Sequence, residues 1–486
     1  MIAAGLDAGT TNIELVLVDL DECRVRVYRS VPNRRLTPDD PLAFLQDPVE
    51  IAGTVQRLLS QEKEPVVSIG ITGQVHGILY TDRAGKALSP LYTWLDRHGA
   101  GPLEKYGGKT PQELFTEKTG YTVPVGYGLL THYANKLDGR VPPGAARLMG
   151  INEFIAGTLI GSPLEKTDAS ILAGYGVFDP VANSHYTPAL EEALAPPPDR
   201  RGSLSHGKGL SFLDPAAPFT VAGAASGIPV AWPIGDNQAG FFGAVALPGE
   251  ECLVSIGTSG QLSVFSTGDR CAPAMELRPY FGLGYLHVGA TLCAGKAWEI
   301  LADLVAETLA RAGKTRSSTG NPVEGPFDRE LIFDLMKEAA RETLTIREAA
   351  DAGGEAAGQA DSPVFDTALN GTRRDPRRRG VIEGIGIDNF TLGNLTLACV
   401  DGVIRELADF RNSMGALFDP IRGIVAEGSA IRKNELFVRS LKRQFHRPVR
   451  IPRVKGGAAL GAALAGACAA GLVSLKDVAE IIGRLR

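Results

Sequence analysis

Two short stretches contain the residues that are best suited to chemistry. In the first, residues 233–239, the carboxylate of Asp236 follows Gly235 on a turn that leads into a helix-like run. The second, residues 253–260, reads as a strand ending in a turn of Gly257, Thr258, Ser259 and Gly260. Free backbone N–H groups and hydroxyls in such a turn suit phosphate oxygens. The sequence therefore predicts a proton acceptor close to a phosphate-binding loop.

The beginning of the chain has the same order of strand, glycine and hydroxyl residues. Apolar runs at residues 2–6 and 13–20 predict two antiparallel strands, joined by a loop that contains Asp7, Gly9, Thr10 and Thr11. About 248 residues separate Gly9 from Gly257, which indicates an internal duplication. Two such loops, facing each other from related domains, could hold a nucleotide triphosphate. Asp7 then lies at the loop mouth, where the alternatives are a turn former or a group for metal and phosphate chemistry.

Two other segments are suited to binding a polyol. Residues 66–71 predict a buried strand that leads into a loop with Gln74 and His76. Residues 88–97 end in Trp94, Asp96 and Arg97, which combine an aromatic face, a carboxylate and a guanidinium, a composition typical of sugar sites. Simpler alternatives exist, because an isolated histidine is more often a core or surface residue and Asp236 could merely cap its helix.

A strand at residues 424–426 leads into a turn that contains Gly428, Ser429 and Asn434, which predicts a site at the edge of a nucleotide. Helical spacing at residues 42–59 and 392–414 predicts two helices. Residues 456–472 are rich in Ala and Gly, which predicts a buried helix with close backbone packing and not a membrane span.

Composition excludes several classes of protein. A chain of 486 residues predicts two to three domains, and its net charge of -5 argues against a chain-wide nucleic-acid surface. The six cysteines form no CxxC pair and no secretory signal is present, so we expect reduced thiols and a cytoplasmic location. Gly295-Lys296-Ala297 does not complete a P-loop, and neither zinc-ligand spacing nor a Gly-x-Ser-x-Gly elbow occurs. Residues 196–201, 313–325 and 349–362 predict loops, and the arginines of residues 371–380 suggest a solvated face or a phosphate patch.

Taken together, these motifs resemble the FGGY carbohydrate kinase family of the actin-like ATPase superfamily. The matching segments, in order, are residues 7–11, 73–77, 94–97, 235–238, 255–260, 428–434 and 456–461. Within the family, residues 291–295, 371–380 and 428–434 are most similar to sedoheptulokinases, with xylulokinases and gluconokinases as near neighbours. Val75 departs from the methionine of many members, which alters the shape of the sugar pocket, and Glu427 departs from the glycine of xylulokinases; both departures leave the chemistry intact.

The resemblance implies two actin-like (ribonuclease H-like) α/β domains with mixed sheets, at residues 1–246 and 247–486, and an active site in the cleft between them. It implies ATP-dependent phosphorylation of a ketose at a terminal hydroxyl, with sedoheptulose as the first candidate and xylulose or gluconate as alternatives. Asp236 would be the catalytic base and Asp7 the metal residue, with ATP and Mg²⁺ as cofactors. The expected partners are a small-molecule sugar and ATP, with neither nucleic acid nor membrane, and a monomer or homodimer is expected.

The other implied site residues follow the same motifs. The sugar is expected at Gln74, Val75, His76, Trp94, Asp96, Arg97 and Asn237, and the nucleotide at Gly9, Thr10, Thr11, Gly257, Thr258, Ser259, Gly295, Gly428, Ser429 and Asn434. A different class shares this duplicated fold, namely non-catalytic nucleotide switches of the actin and Hsp70 type. A pure switch has no need for the sugar-binding residues, so their presence favours the enzyme.

Overall fold

The computed structural model describes residues 1–195, 210–315, 328–352, 362–372, 375 and 377–485. The predicted loop at 196–201 lies outside these ranges, as do most of the predicted loops 313–325 and 349–362 and the arginines Arg373 and Arg374. Residues 313–315 and 349–352 lie inside the ranges and are the ends of helices instead of loop.

The elements of the first half begin with a hairpin and end with a short helix. The strands are β1 (Ile2–Ala8), β2 (Asn12–Asp19), β3 (Arg24–Pro32), β4 (Leu45–Gln46), β5 (Val66–Gly73), β6 (Leu79–Thr81), β7 (Leu91–Tyr92), β8 (Arg147–Met149), β9 (Lys166–Thr167), β10 (Phe178–Asp179), β11 (Ser184–His185), β12 (Asp214–Pro215), β13 (Val221–Ala225) and β14 (Ile228–Ala231). The helices are α1 (Pro48–Ser60), α2 (Pro111–Thr119), α3 (Gly128–Leu137), α4 (Ile151–Ile160), α5 (Ala169–Gly174), α6 (Thr187–Leu194) and α7 (Asp236–Ala244).

The second half begins with another hairpin. Its strands are β15 (Glu251–Ile256), β16 (Gly260–Ser266), β17 (Glu276–Tyr280), β18 (Gly284–Ala290), β19 (Val364–Asp366), β20 (Val381–Glu383), β21 (Gly423–Glu427) and β22 (Val449–Arg450). Its helices are α8 (Gly295–Thr315), α9 (Arg329–Ala352), α10 (Leu392–Met414), α11 (Ser429–Lys433), α12 (Glu435–Phe445), α13 (Gly457–Ala469) and α14 (Leu475–Arg484).

The two main sheets repeat one strand pattern. In the first, the order is β13-β14-β5-β1-β2-β3, and in the second it is β17-β18-β16-β15-β21-β22. In each sheet the first strand of the hairpin is antiparallel to the second strand and parallel to a later strand: β1 pairs with β2 and β5, and β15 pairs with β16 and β21. The predicted duplication is therefore visible in the fold. In each sheet, a turn of glycine and hydroxyl residues joins the two strands of the central hairpin. The turn contains Gly9, Thr10 and Thr11 in the first sheet and Gly257, Thr258 and Ser259 in the second.

Helix α13 belongs to the second half by sequence but packs on the first sheet. It contacts β1, β5 and α7, and its residues from Ala459 to Ala467 are buried. Contact is so close that a Cβ on Gly70 of β5 would lie 1.7 Å from the carbonyl oxygen of Ala462, and one on Gly461 would lie 1.8 Å from that of Ala239. Only glycine permits this approach of backbones. The predicted buried helix thus holds β5 and α7 together.

Several boundaries differ from the sequence expectation. The helix predicted at 42–59 begins only at Pro48, because Asp47 caps it and residues 45–46 pair with β7. The helix predicted at 392–414 is present with those bounds. Within the described ranges, no helix is long and apolar enough to cross a membrane.

Candidate active site

The first phosphate-binding loop is the turn between β1 and β2. Side-chain amides hold its carbonyls from outside: Asn33 Nδ2 donates to Gly9 O (2.8 Å) and Gln46 Nε2 donates to Thr10 O (2.9 Å). Within the described residues, the backbone N–H groups of Gly9, Thr10 and Thr11 donate to no protein acceptor. The loop is therefore ordered with its donors left for an anion, as a phosphate site requires.

The second loop, between β15 and β16, is fixed by the start of α8. Gly295 N donates to Gly257 O (2.9 Å), and the backbone N–H groups of residues 294 and 296 donate to Thr258 O (3.0 and 3.1 Å). In the described part of the chain, the N–H groups of Thr258 and Ser259 have no protein acceptor. The two halves thus supply equivalent donor loops, and the N-terminal end of α8 lies directly beside the second one.

Asp236 is the first residue of α7, and its side chain is partly exposed. Gly235 N donates to Ser170 Oγ (2.8 Å), which fixes the turn, and Asp236 Oδ1 accepts from Asn237 N (2.7 Å). Burial raises the pKa of Asp236 above its usual range, while the positive charge of Arg278 opposes the rise. A carboxylate with a raised pKa at a helix start can accept a proton near neutral pH.

Asp7, at the end of β1, lies close enough to Asp236 for the two charges to interact. Burial, and then the charges of Asp236 and Glu14, raise the pKa of Asp7 to about 8. Among the described residues, no group of three or more Asp, Glu, His or Cys side chains could hold a metal ion. A single carboxylate together with substrate phosphates is nevertheless the usual way in which proteins bind Mg²⁺. Since a cation would relieve the repulsion between the two carboxylates, Asp7 fits that requirement.

A cavity of about 320 Å³ is lined by two of the predicted sugar residues, Val75 and His76, and by Arg278, on which the charge of Asp236 acts. His76 has a φ of +73°, its ring stacks on Tyr127 at 4.1 Å, and its Nδ1 lies 2.6 Å from Gly174 O. Because a non-glycine residue rarely adopts this backbone conformation, the strain indicates a functional position. Other walls of the cavity include Ser170, Gln238, Glu276 and Arg278.

The remaining predicted sugar residues have different surroundings. Trp94 is 44% exposed, and its Nε1 donates to Thr10 Oγ1 (2.9 Å), which links the aromatic loop to the first phosphate loop. Gln74 is buried and donates to Gln46 Oε1 (2.7 Å). Arg97 is exposed, and Asn237 is buried and donates to Ser263 Oγ (3.1 Å).

Asp96, unlike a residue that contacts a sugar in an open cavity, is enclosed by protein. It is fully buried, and its two carboxylate oxygens lie 2.8 and 2.9 Å from His98 Nδ1. His98 Nε2 in turn lies 2.8 Å from Asp40 Oδ2. Burial lowers the pKa of His98, but the hydrogen bonds and charges of Asp96 and Asp40 outweigh it and raise that pKa overall. In this arrangement Asp96 holds the loop on which Trp94 lies.

A second cavity, of about 390 Å³, brings together five of the predicted nucleotide residues: Gly257, Thr258, Gly295, Ser429 and Asn434. Aromatic side chains form part of its wall, with the ring of Trp298 6.1 Å from that of Phe333 and 6.3 Å from that of Phe437. A polar rim beside aromatic rings suits a heterocyclic base with its ribose and phosphates.

The turn at Gly428 leads into Ser429, which lines this cavity. Gly428 has a φ of +100°, and a Cβ there would lie 2.3 Å from Ile256 O, so the position requires glycine. Asn434 caps α12, because its Oδ1 accepts from Leu436 N (3.1 Å), yet its Nδ2 is buried and has no hydrogen-bond partner in the part of the chain that the structure describes. A buried amide donor without an acceptor is costly, and a ligand in the cavity would satisfy it.

The cavity residues that the sequence did not indicate include Tyr127, Glu276, Arg278 and Trp298. Glu276 and Arg278 are alternate residues of β17, a spacing that any half-exposed strand shows. Trp298 shares the apolar face of α8 with core residues. The strand that carries Glu276 and Arg278 and the helix that carries Trp298 do not reveal in their sequences which of their faces lines a cavity.

Two duplicated sheets with two donor loops, and a carboxylate that interacts with the wall of a polar cavity, are the features expected of a phosphoryl-transferring enzyme of the actin-like ATPase type. The chain belongs to the FGGY family of carbohydrate kinases: residues 2–243 match the family's N-terminal domain and residues 252–470 its C-terminal domain. It is accordingly an ATP-dependent sugar kinase, and its substrates are a small-molecule sugar and ATP.

Individual relatives are distant but cover almost the whole chain. The sedoheptulokinase of Mus musculus is 24% identical, over 92% of this chain and 94% of that protein. The glycerol kinase of Thermus brockianus is 26% identical, over 97% of this chain and 91% of that protein. The solved structure of xylulose kinase from Rhodospirillum rubrum superposes with a TM-score of 0.75 at 20% identity and covers 100% of this chain and 96% of that one. This likeness establishes the fold.

Proposed function

We propose that the protein transfers the terminal phosphoryl group of ATP to the terminal hydroxyl of a ketose, and that the ketose is sedoheptulose, giving its 7-phosphate. The observation that carries this proposal is the position of Asp236, whose charge acts both on Arg278 in the wall of a polar cavity and on Asp7 at the end of the strand that leads into the first donor loop. The resemblance of residues 371–380 and 428–434 to sedoheptulokinases supports the seven-carbon sugar, as does the likeness to the mouse enzyme of that name.

Each group has one role in the proposed reaction. Asp236 accepts the proton of the sugar hydroxyl as that oxygen bonds to the γ-phosphorus, and the bond from phosphorus to the bridging oxygen breaks, which releases ADP. The N–H groups of Gly9 to Thr11 and of Thr258 and Ser259 orient and stabilise the phosphoryl group in line. Asp7 would hold Mg²⁺, which supplies positive charge to the phosphates when bound. Charge stabilisation and alignment are the main demands of this chemistry.

The nucleotide is proposed to lie with its base against the aromatic wall of the second cavity. The partly exposed ring of Phe333 would contact the base, and the Nδ2 of Asn434, which has no partner among the described residues, would donate to the base or to its ribose. Its phosphates would then extend past Gly257 and Thr258 toward the cleft. This placement would give the buried amide donor of Asn434 an acceptor.

An ADP-release assay over a panel of sugars tests the proposal. We expect the highest kcat/KM for sedoheptulose among sedoheptulose, xylulose, ribulose, gluconate and glycerol, because its longer chain makes more contacts in the cavity. A tenfold preference for xylulose would leave the ketose kinase in place and remove sedoheptulose. A failure to release ADP with every acceptor would contradict the proposed reaction and favour a nucleotide-driven switch instead.

A further inference from the structure

Strand β17 of the second sheet contributes two charged residues to the sugar cavity of the first half. Glu276 and Arg278 lie two positions apart, so their side chains share one face of the strand. The same strand contacts α5 of the first half, and Pro279 O accepts from Gln238 Nε2 (3.0 Å). The cavity therefore has walls from both halves of the chain.

Arg278 is held by Glu276 but keeps unused donors. Its Nε and Nη2 both donate to Glu276 Oε2 (3.2 and 2.7 Å), and its side chain is only 14% exposed. Its Nη1 makes no hydrogen bond to the described part of the chain. A guanidinium stays charged in such a place, so its remaining N–H groups require acceptors that the ligand can supply.

The charge around Arg278 indicates which ligand it prefers. Glu276 already neutralises the guanidinium, and the charge of Asp236 also acts on it. The carboxylate of a sugar acid would therefore be repelled by Glu276 and Asp236 and attracted only by Arg278. A neutral ligand with adjacent hydroxyls avoids this repulsion, since it can accept from the guanidinium and donate to Glu276.

We propose that the Glu276–Arg278 pair is a specificity determinant that binds two adjacent hydroxyl groups of a neutral polyol and disfavours sugar acids. This inference rests on the proposed function, because it assumes that the polyol occupies this cavity. The bound hydroxyls would lie further along the carbon chain than the reacting hydroxyl beside Asp236. A three-carbon acceptor would then be too short to use the pair.

Two variants test the inference through ratios of kcat/KM. Arg278→Met keeps a long side chain without donors, and we expect it to lower kcat/KM for sedoheptulose about 100-fold more than for glycerol, the loss typical of a charged hydrogen-bonding group. Arg278 also influences the pKa of Asp236, so the variant changes the catalytic base for both sugars. The ratio of the two kcat/KM values cancels this shared effect. Glu276→Gln leaves the guanidinium unneutralised, so we expect the ratio of gluconate to sedoheptulose kcat/KM to rise about tenfold.

Arg26→Met is the matched control, because Arg26 forms a similar pair with Asp19 at 2.6 Å outside the cavity, and it should leave both ratios unchanged. Equal losses for sedoheptulose and glycerol in Arg278→Met would overturn the inference while the wild-type panel still reports on the proposed function. If the wild type phosphorylates no sugar, the proposed reaction fails first. Calorimetric titration of sedoheptulose into wild type and Arg278→Met then tests the inference. We expect the wild type to bind the sugar and the variant to lose this binding, and equal binding by both would contradict the inference.

Discussion

Replacement of Gly461 by alanine tests whether α13 positions the catalytic helix. A Cβ at this residue would lie 1.8 Å from Ala239 O, whereas contacts below 3.0 Å essentially do not occur, so α13 and α7 must separate by at least about 1.2 Å. Separation of packed backbones sacrifices dispersion contacts along the whole interface. We expect the free energy of unfolding to fall by about 3 kcal/mol, the upper part of the range for overpacked cores.

The same substitution should also slow catalysis, because α7 begins with Asp236 while β1, on the other side of α13, leads into the first phosphate loop. A displacement of about 1 Å at a catalytic group costs roughly 100-fold in kcat. The KM for ATP should change less than kcat, since the walls of the nucleotide cavity come mainly from α8, α9, α11 and α12, whereas only the first phosphate loop follows β1.

Urea unfolding followed by circular dichroism, together with the ADP-release assay, measures both effects. Gly483→Ala is the control: it lies in α14, and apart from its own helix no atom of the described residues lies within 4 Å of the added Cβ, so it should be neutral or stabilise the protein by about 0.5 kcal/mol. If Gly461→Ala unfolds at the wild-type urea concentration and retains the wild-type kcat, the helices can separate freely and the reasoning about α13 is wrong.

Three further predictions follow from the site. Asp236→Asn should lower kcat by roughly 10²–10⁴-fold with the KM for ATP little changed, as steady-state kinetics would reveal, and a near-normal kcat would exclude the base role. Since Asp96 and Asp40 raise the pKa of His98, folding favours its protonated form; this contribution is complete below the usual pKa of about 6.5 and is lost as pH rises through the folded-state value. His98→Asn should therefore destabilise the protein more at pH 6 than at pH 8.5 in denaturant titrations, and an equal loss at both would refute the ionic account. Sugar and a non-hydrolysable ATP analogue should bind with positive coupling of about 1–3 kcal/mol in calorimetry, because the sugar cavity has walls from both halves; equal affinities with and without sugar would indicate a preformed cleft.

The loops with free backbone donors could be predicted from the sequence, because a strand that ends in glycine and hydroxyl residues is a pattern with few alternative interpretations. Both donor loops were found in this way, and so was the turn at Gly428, whose φ and close contact with Ile256 O permit only glycine. The buried helix at 457–469 could be predicted from its Ala and Gly content. Local composition was sufficient in these cases, since the physical constraint lies within a few residues.

Features that depend on distant residues could not be predicted. The burial of Asp96 depends on its pairing with His98 and, through it, with Asp40, which is far away in sequence. Arg278 enters the sugar cavity only because β17 is the edge strand of the second sheet and contacts α5. The helix predicted from residue 42 was too long, because the pairing of residues 45–46 with β7 prevails over helical spacing.

The position of α13 also has a consequence for biosynthesis. The ribosome produces β1, β5 and α7 long before residues 457–469, yet the faces of these elements that α13 covers are apolar or glycine-lined. Until that helix emerges, the nascent first half presents an uncovered sheet surface, which is the kind of surface that chaperones recognise and that aggregates when crowded. A message truncated before residue 457 would consequently yield a product lacking the cover for its earliest-made sheet, and not a functional half-enzyme.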